Sequence, residues 1–221
     1  TGQGQMITVV TEKYCLHIDA GGDRAVPIKG LYTFCKNKTQ HLHLTHYDWD
    51  HMGYIQKLRR LDPPLCLAEP FPTLPRKKQK ILRGLSICPQ EKNSQYPSTR
   101  PKKRKLLSVF TPEVFKENWS RAYVLNNDFL ISGDAPWAQE KELWPRLKKF
   151  KINYFVLGHH GSRTSTHSEF LKSLTDVKQA FVSARKKRYG HPHRQTLERL
   201  RKRGIPLIST EDFGNIHLTL L

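Results

Sequence analysis

The densest group of reactive side chains in the sequence is His46-Tyr47-Asp48-Trp49-Asp50-His51. Two imidazoles and two carboxylates fall within six residues, directly after a stretch at 40–45 that alternates polar and apolar residues and reads as a strand. Burying four such groups is unfavourable unless they are paired or bind a cation. The end of a strand is also where a rigid scaffold presents function. Two later segments repeat the arrangement. Gly133-Asp134 follows the apolar run Phe129-Leu130-Ile131-Ser132, and Gly158-His159-His160-Gly161-Ser162 follows Tyr154-Phe155-Val156-Leu157. Three strand ends that each deliver imidazole or carboxylate are what a two-metal cavity requires. Any one of them alone would read as a polar surface loop or a structural histidine.

The elements that must position these groups are short. Residues 6–10 and 14–18 read as a hairpin, and Asp19-Ala20-Gly21-Gly22 closes it with a glycine-rich turn. A polar loop is expected over 46–51, and Tyr54, Ile55, Leu58 and Leu61 mark a short amphipathic helix. Residues 106–110, 122–125 and 129–132 read as strands, and a helix is expected over 138–149 after Pro136. Thr166 and Glu169 have capping-box spacing, which predicts a helix from there to residue 174. A strand at 179–184, a helix at 195–203 with Gly204 just past its end, and strands at 207–209 and 216–220 complete the chain. Strands predominate and helices fall between them, which points to sheets with helices outside.

The 221 residues carry 38 Lys and Arg against 19 Asp and Glu, a formal charge of +19. A field of this sign favours polyanions, nucleic acid first and an anionic membrane surface second. Residues 72–105 concentrate it, with eleven Lys or Arg, one Glu and five Pro, and read as a basic surface insertion. No apolar run approaches the length of a membrane span. The chain starts without Met, within what reads as a motif, and is expected to be a piece of a longer protein. None of the four cysteines is spaced as CxxC, which argues against a structural zinc knuckle. Cys15 and Cys66 lie in apolar runs and read as buried thiols, with a disulfide, and so the redox compartment, left open.

The order His-x-Asp-x-Asp-His, Gly-Asp, His-His-Gly-Ser resembles the metallo-β-lactamase superfamily. Asp48 stands where the wider superfamily has His, and a carboxylate there is typical of the ComEC branch of competence proteins. Gly2-Gln3-Gly4, His17-Ile18-Asp19-Ala20-Gly21-Gly22, Asn118-Trp119-Ser120, residues 158–166 and Arg188-Tyr189-Gly190-His191-Pro192-His193 are each similar to ComEC segments. The likeness spans nearly the whole chain, with residues 62–105 matching poorly. It implies a single α/β domain over residues 1–221 with the metallo-β-lactamase fold, an αββα sandwich of two mixed β-sheets with helices on the outer faces, and the basic, Pro-rich insertion at 72–105. Two departures stand out. Gln5 occupies a position where that branch usually has Asp, and no His occurs between His51 and His159, where the superfamily has an additional ligand.

By this resemblance His46 and Asp48 serve one metal and Asp50 and His51 the second. Asp134 bridges both, and one of His159 and His160 completes the second site, His160 beside Gly161 being favoured. Two divalent ions would activate a water for in-line attack on phosphorus, with Asp50 at the catalytic centre. Three carboxylates make the donor set hard, which favours Mn²⁺, with Zn²⁺ or Mg²⁺ possible, and no organic cofactor is expected. His191 and His193 are candidates for general acid and phosphate ligand, because histidine titrates in the right range. Arg185, Lys186, Lys187 and Arg188 run into that turn and, with Tyr189, Ser162 and Arg163, are candidate substrate contacts. Such charge holds a DNA backbone without reading sequence, while Tyr47, Trp49 and Tyr189 are placed to stack on bases of a single strand.

The resemblance therefore implies a nuclease for single- or double-stranded DNA that degrades the non-transported strand during natural transformation. It would be a soluble domain of an inner-membrane protein, on the periplasmic or extracellular face, beside the membrane channel of its parent. Two other readings compete. One is a hydrolase of another phosphodiester on the same fold, such as a phosphorylcholine esterase, which a charge of +19 disfavours. The other is a non-catalytic DNA-binding module, which the missing histidine favours and the retained His46, Asp48, Asp50, His51 and Asp134 disfavour.

Overall fold

Parallel pairing in each sheet decides where the chain delivers its reactive residues. The computed structural model describes residues 4–22, 29–60, 64–70, 74–89, 106–112 and 119–219. These fall into two units, residues 4–89 and residues 106–219, each with its own sheet and core. Two mixed sheets of five and six strands, with helices between the strands, make the chain α/β, consistent with a metallo-β-lactamase fold.

In the first unit the elements run β1 (Ile7–Val10), β2 (Tyr14–Ile18), α1 (Lys29–Cys35), β3 (Thr39–His43), α2 (Trp49–Met52), α3 (Ile55–Leu58), β4 (Leu65–Leu67), α4 (Arg76–Leu82) and β5 (Ser86–Ile87). The sheet order is β1-β2-β3-β4-β5, antiparallel in the β1–β2 hairpin and parallel thereafter. Ile18 on β2 lies opposite His43 on β3, so the two chains leave the sheet side by side. Asp19 and Thr45 follow at that shared edge, the carboxyl ends where open parallel sheets bind ligands. Leu42, Leu44, Met52, Ile55 and Leu58 are fully buried and form the core of this unit.

In the second unit the order is β6 (Leu107–Phe110), β7 (Ala122–Leu125), β8 (Phe129–Ile131), α5 (Trp137–Leu147), β9 (Tyr154–Val156), α6 (Ser168–Ser173), β10 (Gln179–Val182), α7 (Lys186–Tyr189), α8 (Arg194–Lys202), β11 (Leu207–Ser209) and α9 (Thr210–Phe213). The strands stand in the order β11-β10-β9-β8-β7-β6, parallel from β8 to β11. Strand β7 is buried at every position, as a strand covered on both faces must be. Gln139, Glu140, Leu143 and Leu147 of α5 are buried at helical spacing, with Leu130, Phe155, Phe170 and Leu200 around them. Fully burying each such Leu or Phe contributes about 1.5–3 kcal/mol.

Several expectations are corrected. Cys15 and Cys66 are not thiols: Cys15 is bonded to Cys35 and Cys66 to Cys88, leaving no free cysteine. The Thr166–Glu169 capping box does not form. His167 is the N-cap of α6, Thr166 Oγ1 instead accepts from the Gly158 N–H, and Glu169 pairs with His167 Nδ1 at 2.7 Å. Residues 216–219 carry no strand. The 46–51 loop contains α2, and the basic stretch contributes α4 and β5 over residues 74–89. Gly2, Gln3, Leu61, Asn118, Leu220 and residues 72–73 and 90–105 lie outside the described residues.

Candidate metal centre

In the first unit the site is built on a buried aspartate. Asp19 leaves β2 at φ 59°, and its backbone N–H donates to His43 O at 2.7 Å. Left-handed backbone costs a non-glycine residue about 1–2 kcal/mol, and it turns this carboxylate inward. There Oδ1 accepts the Thr45 backbone N–H at 2.8 Å, and Oδ2 accepts from Gln5 Nε2 at 3.0 Å. The Thr45 hydroxyl donates to the same carboxylate at 2.9 Å. His51 Nδ1 lies 2.7 Å from Asp19 Oδ2, and His46 Nδ1 lies 3.0 Å from Thr45 Oγ1. The two imidazole rings stand 4.1 Å apart, His51 fully buried and His46 nearly so. Short α2 brings His51 there, with Asp48 at its N-cap and Asp50 in its first turn. Gly21 makes this possible, because a Cβ on it would lie 1.6 Å from Asp50 O.

Asp48 is more than half exposed, with Oδ2 3.6 Å from His46 Nε2 and Oδ1 3.5 Å from Lys78 Nζ. Its carboxyl is held below the usual carboxylate range, chiefly by its close approach to the His46 imidazole and, more weakly, by the charge of Lys78. Lys78, on α4, also donates to Tyr47 O at 2.6 Å and lies 4.9 Å above the Trp49 ring, which is 53% exposed. The histidine two residues before Asp19 has a different role. His17 sits between Thr8 Oγ1 and Gln40 Oε1, and burial pushes it down to about 4, so it is a neutral packing residue.

In the second unit three parallel strand ends converge. Ile131, Val156 and Phe181 lie in register across β8, β9 and β10, and the chain beyond them supplies Asp134, His159 with His160, and Ser183. The Asp134 backbone N–H donates to Ser120 Oγ at 2.9 Å, and the Gln139 side chain clasps Ser120 through both its N–H and its carbonyl. His159 and His160 are both left-handed, at φ 48° and 54°. Consecutive strain of this kind persists only where the surroundings over-determine it, and it clusters at functional sites. His160 is buried, its Nδ1 lies 2.7 Å from Ser183 O, and its Nε2 lies 3.9 Å from Asp134 Oδ1. His159 is more exposed, with Nε2 3.6 Å from Asp134 Oδ2.

The second unit also joins the two histidine motifs expected to act together. A Cβ on Gly161 would lie 2.6 Å from Pro192 Cβ, and the His193 N–H donates to Gly161 O at 2.9 Å. The His191 ring stands 6.0 Å from that of His159. Burial first, and the neighbouring His159 and His160 next, hold His191 below the usual histidine range. His193 has a structural task, since its side chain accepts from the Gln195 N–H and caps α8. The Ser162 hydroxyl is engaged with Thr164, while Arg163 is exposed. Arg185 is half-buried, and Lys186, Lys187, Arg188 and Tyr189 form the exposed turn of α7, with the Arg188 guanidinium 5.2 Å from the Tyr189 ring centre.

The first unit thus gathers His46, Asp48 and His51, with Asp50 on the same short helix, and the second gathers Asp134, His159, His160 and His191. Sequence reasoning missed the residues behind them: Gln5 and Thr45 around Asp19, Ser120 and Gln139 behind Asp134, and Lys78 beside Asp48. Glu140 was missed too; it is fully buried and accepts the backbone N–H groups of Thr166 and His167. The Asp19 and Ser120 motifs were visible in the sequence, but their roles were not. Nothing local marks Gln139, Glu140 or Lys78.

Among known proteins the chain is similar to ComE operon protein 3 of Bacillus subtilis (strain 168), 29% identical over 190 residues, covering 78% of this chain and 24% of that protein. It is also similar to competence protein ComA of Neisseria gonorrhoeae, 25% identical over 231 aligned positions, covering 99% of this chain and 31% of that protein. The chain therefore spans less than a third of the length of either relative. No protein-family profile matches it.

Proposed function

We propose that the chain is a metal-dependent phosphodiesterase that cleaves DNA during DNA uptake. One relative is named a competence protein, and together with the resemblance to ComEC this supports the uptake role. The observation that carries the metal reading is the pairing of His160 with Asp134. A carbonyl only accepts, so His160 must give its Nδ1–H to Ser183 O, and in the neutral ring the lone pair is then on Nε2. That lone pair and Asp134 Oδ1 then lie 3.9 Å apart as two acceptors, an arrangement that a cation stabilises. Imidazole and carboxylate donors together suit Mn²⁺, with Zn²⁺ or Mg²⁺ possible, and we favour Mn²⁺.

The ligands proposed are those expected from sequence: His46, Asp48, Asp50, His51 and Asp134, with His160 preferred to His159 because its ring is buried and its tautomer is set. Divalent metal supplies an activated water and positive charge against the phosphate. His191, neutral near pH 7, offers an N–H to a phosphate oxygen and acts as general acid only once protonated. The exposed charges of α7 hold the DNA backbone without reading sequence. Two disulfides form and persist in oxidising compartments, which supports a position outside the cytoplasm. No helix among the described residues is long and apolar enough to cross a membrane, and the membrane channel of a longer parent is the proposed partner.

The test is cleavage of end-labelled single- and double-stranded DNA by the purified chain. It is run without metal and with Mn²⁺, Mg²⁺ or Zn²⁺, alongside Asp50→Ala and Asp134→Ala. Metal-dependent cleavage lost in both variants is the expected result. DNA binding without cleavage under any metal would replace this reading with a non-catalytic module, which the lack of a histidine between His51 and His159 favours.

A further inference from the structure

We infer that His41, Cys66 and Cys88 form a separate, redox-gated metal site. When the Cys66–Cys88 bridge is reduced, two thiolates and one imidazole hold a Zn²⁺ ion. The site shares no residue with the centre described above and does not rest on the nuclease reading.

The sheet brings the three residues together. His41 on β3 lies directly opposite Cys66 on β4, and Cys66 lies opposite Ser86 on β5. Cys88 comes two residues after Ser86, and its N–H donates to Leu67 O at 2.9 Å, which continues the pairing. Side chains alternate along a strand, so His41, Cys66 and Cys88 share one face of the sheet. Leu42 and Leu67, the next pair in register, turn the other way into the core of this unit. One nitrogen of His41 and the two Sγ atoms lie within 4.8 Å of one another, and all three residues are buried. A structural bridge is complete without an imidazole. Among the described residues no His, Asp or Glu joins Cys15–Cys35 in a comparable group.

The donor set chooses the ion. Thiolate and imidazole suit Zn²⁺, in contrast to the carboxylate-rich centre above. Bonds of about 2.3 Å to sulfur and about 2.0–2.1 Å to nitrogen fit a triangle of this size once the sulfurs part, with water as the fourth ligand. The two Cα atoms stand 5.0 Å apart, so rotation about the Cα–Cβ bonds separates the sulfurs without moving the strands. In the reduced chain without metal, Gln40 O, 3.4 Å from Cys66 Sγ, is the acceptor for its S–H.

The exchange balances. A dithiol supplies two electrons and two protons, the Cys66–Cys88 S–S bond breaks, and the dithiol closes to its own disulfide. Zn²⁺ then takes both sulfurs as thiolates, and their two protons pass to solvent. Two negative sulfurs and Zn²⁺ make a neutral unit, as a buried place requires. Bridge and metal are therefore exclusive, and each closes the same span, of sequence separation 22, that carries α4.

The test uses Co²⁺ as a spectroscopic stand-in for Zn²⁺. The full chain is reduced with a phosphine, freed of it without air, and compared with the oxidised chain. Thiolate ligation gives a sulfur-to-cobalt charge-transfer band in the near ultraviolet that imidazole and carboxylate ligands do not give. The band is expected in the reduced chain, and Zn²⁺ is expected to abolish it. It should be absent from the oxidised chain and from reduced Cys66→Ser/Cys88→Ser, and present in reduced Cys15→Ser/Cys35→Ser. In His41→Gln, affinity should fall at least as far as when a residue that merely supports a ligand is lost, about 10–100-fold. No band in the reduced chain, or the same band in Cys66→Ser/Cys88→Ser, overturns the site. Unchanged affinity in His41→Gln overturns the three-ligand assignment. If reduction alone abolishes the thermal transition, Zn²⁺ is expected to restore it in the wild-type chain but not in Cys66→Ser/Cys88→Ser, and no restoration overturns the inference. Failure of the nuclease reading changes none of these outcomes, because the band reports thiolate alone.

Discussion

Glu140→Gln should change the pH dependence of stability by an amount the structure sets. Glu140 is fully buried on α5, and burial pushes its carboxyl from the ordinary 4.5 up to about 7, opposed by the N–H groups of His167 and Thr166 and by the charge of Arg199. Between those values the folded chain keeps a proton that the unfolded chain has lost. The contribution of Glu140 to stability is therefore present in acid and falls as pH rises from 4.5 through 7. A shift of this size corresponds to about 3 kcal/mol. Glutamine keeps the shape and stays neutral, so near the bottom of the window the variant differs from wild type only through local hydrogen bonding. Above the window the variant should have gained about 3 kcal/mol relative to wild type. Urea unfolding of both proteins at intervals from about pH 5 to about pH 8, followed by circular dichroism, reads the difference directly. A difference that does not vary with pH would refute the reasoning. It would mean that the two backbone N–H groups and Arg199 together offset burial, and that Glu140 titrates near its ordinary value.

Two further outcomes are expected. Replacing Cys66 and Cys88 with Ser opens a bridge of sequence separation 22, and Cys15–Cys35 is comparable at 20. Each loss should lower stability by about 3 kcal/mol, measured by urea unfolding against the oxidised wild type, and a loss well under 1 kcal/mol would show that the bridges merely decorate an already rigid unit. Changing Arg185, Lys186, Lys187 and Arg188 together to Ala should lessen the slope of log affinity against log salt by about one for each phosphate that is no longer neutralised. Fluorescence anisotropy on labelled duplex DNA over a salt series checks this, and an unchanged slope would remove α7 from the DNA interface.

Much of this arrangement is legible in the sequence because the signals are local. The β1–β2 hairpin follows from two short, largely apolar runs separated by the polar residues Thr11, Glu12 and Lys13. Strands β7, β8 and β9 follow from short apolar runs, and the ligand-type residues sit immediately beyond strands in the sequence itself. Other elements carry no comparable signal. Strand β4 has three residues and β5 two, too few to show a period, and α4 is dominated by Lys and Arg with no side-chain cap at its start. Thr166 and Glu169 do have the spacing of a cap, but the Gly158 N–H competes for the threonine hydroxyl and wins. Four cysteines allow three pairings, and only the fold selects 15 with 35 and 66 with 88.

The sequence by itself determined the chemistry: imidazoles and carboxylates at three strand ends, and a charge of +19 suited to a polyanion. Tertiary structure alone decided which hydrogen-bond partners those groups meet. Those partners lie far away along the chain, as Gln5 and His51 are from Asp19, Gln139 from Ser120, and Ser183 from His160. A histidine offers either nitrogen until something takes the proton from the other. Here the partner that takes it is brought up by strand register and by the parallel pairing of the sheets, and no local pattern of residues encodes it.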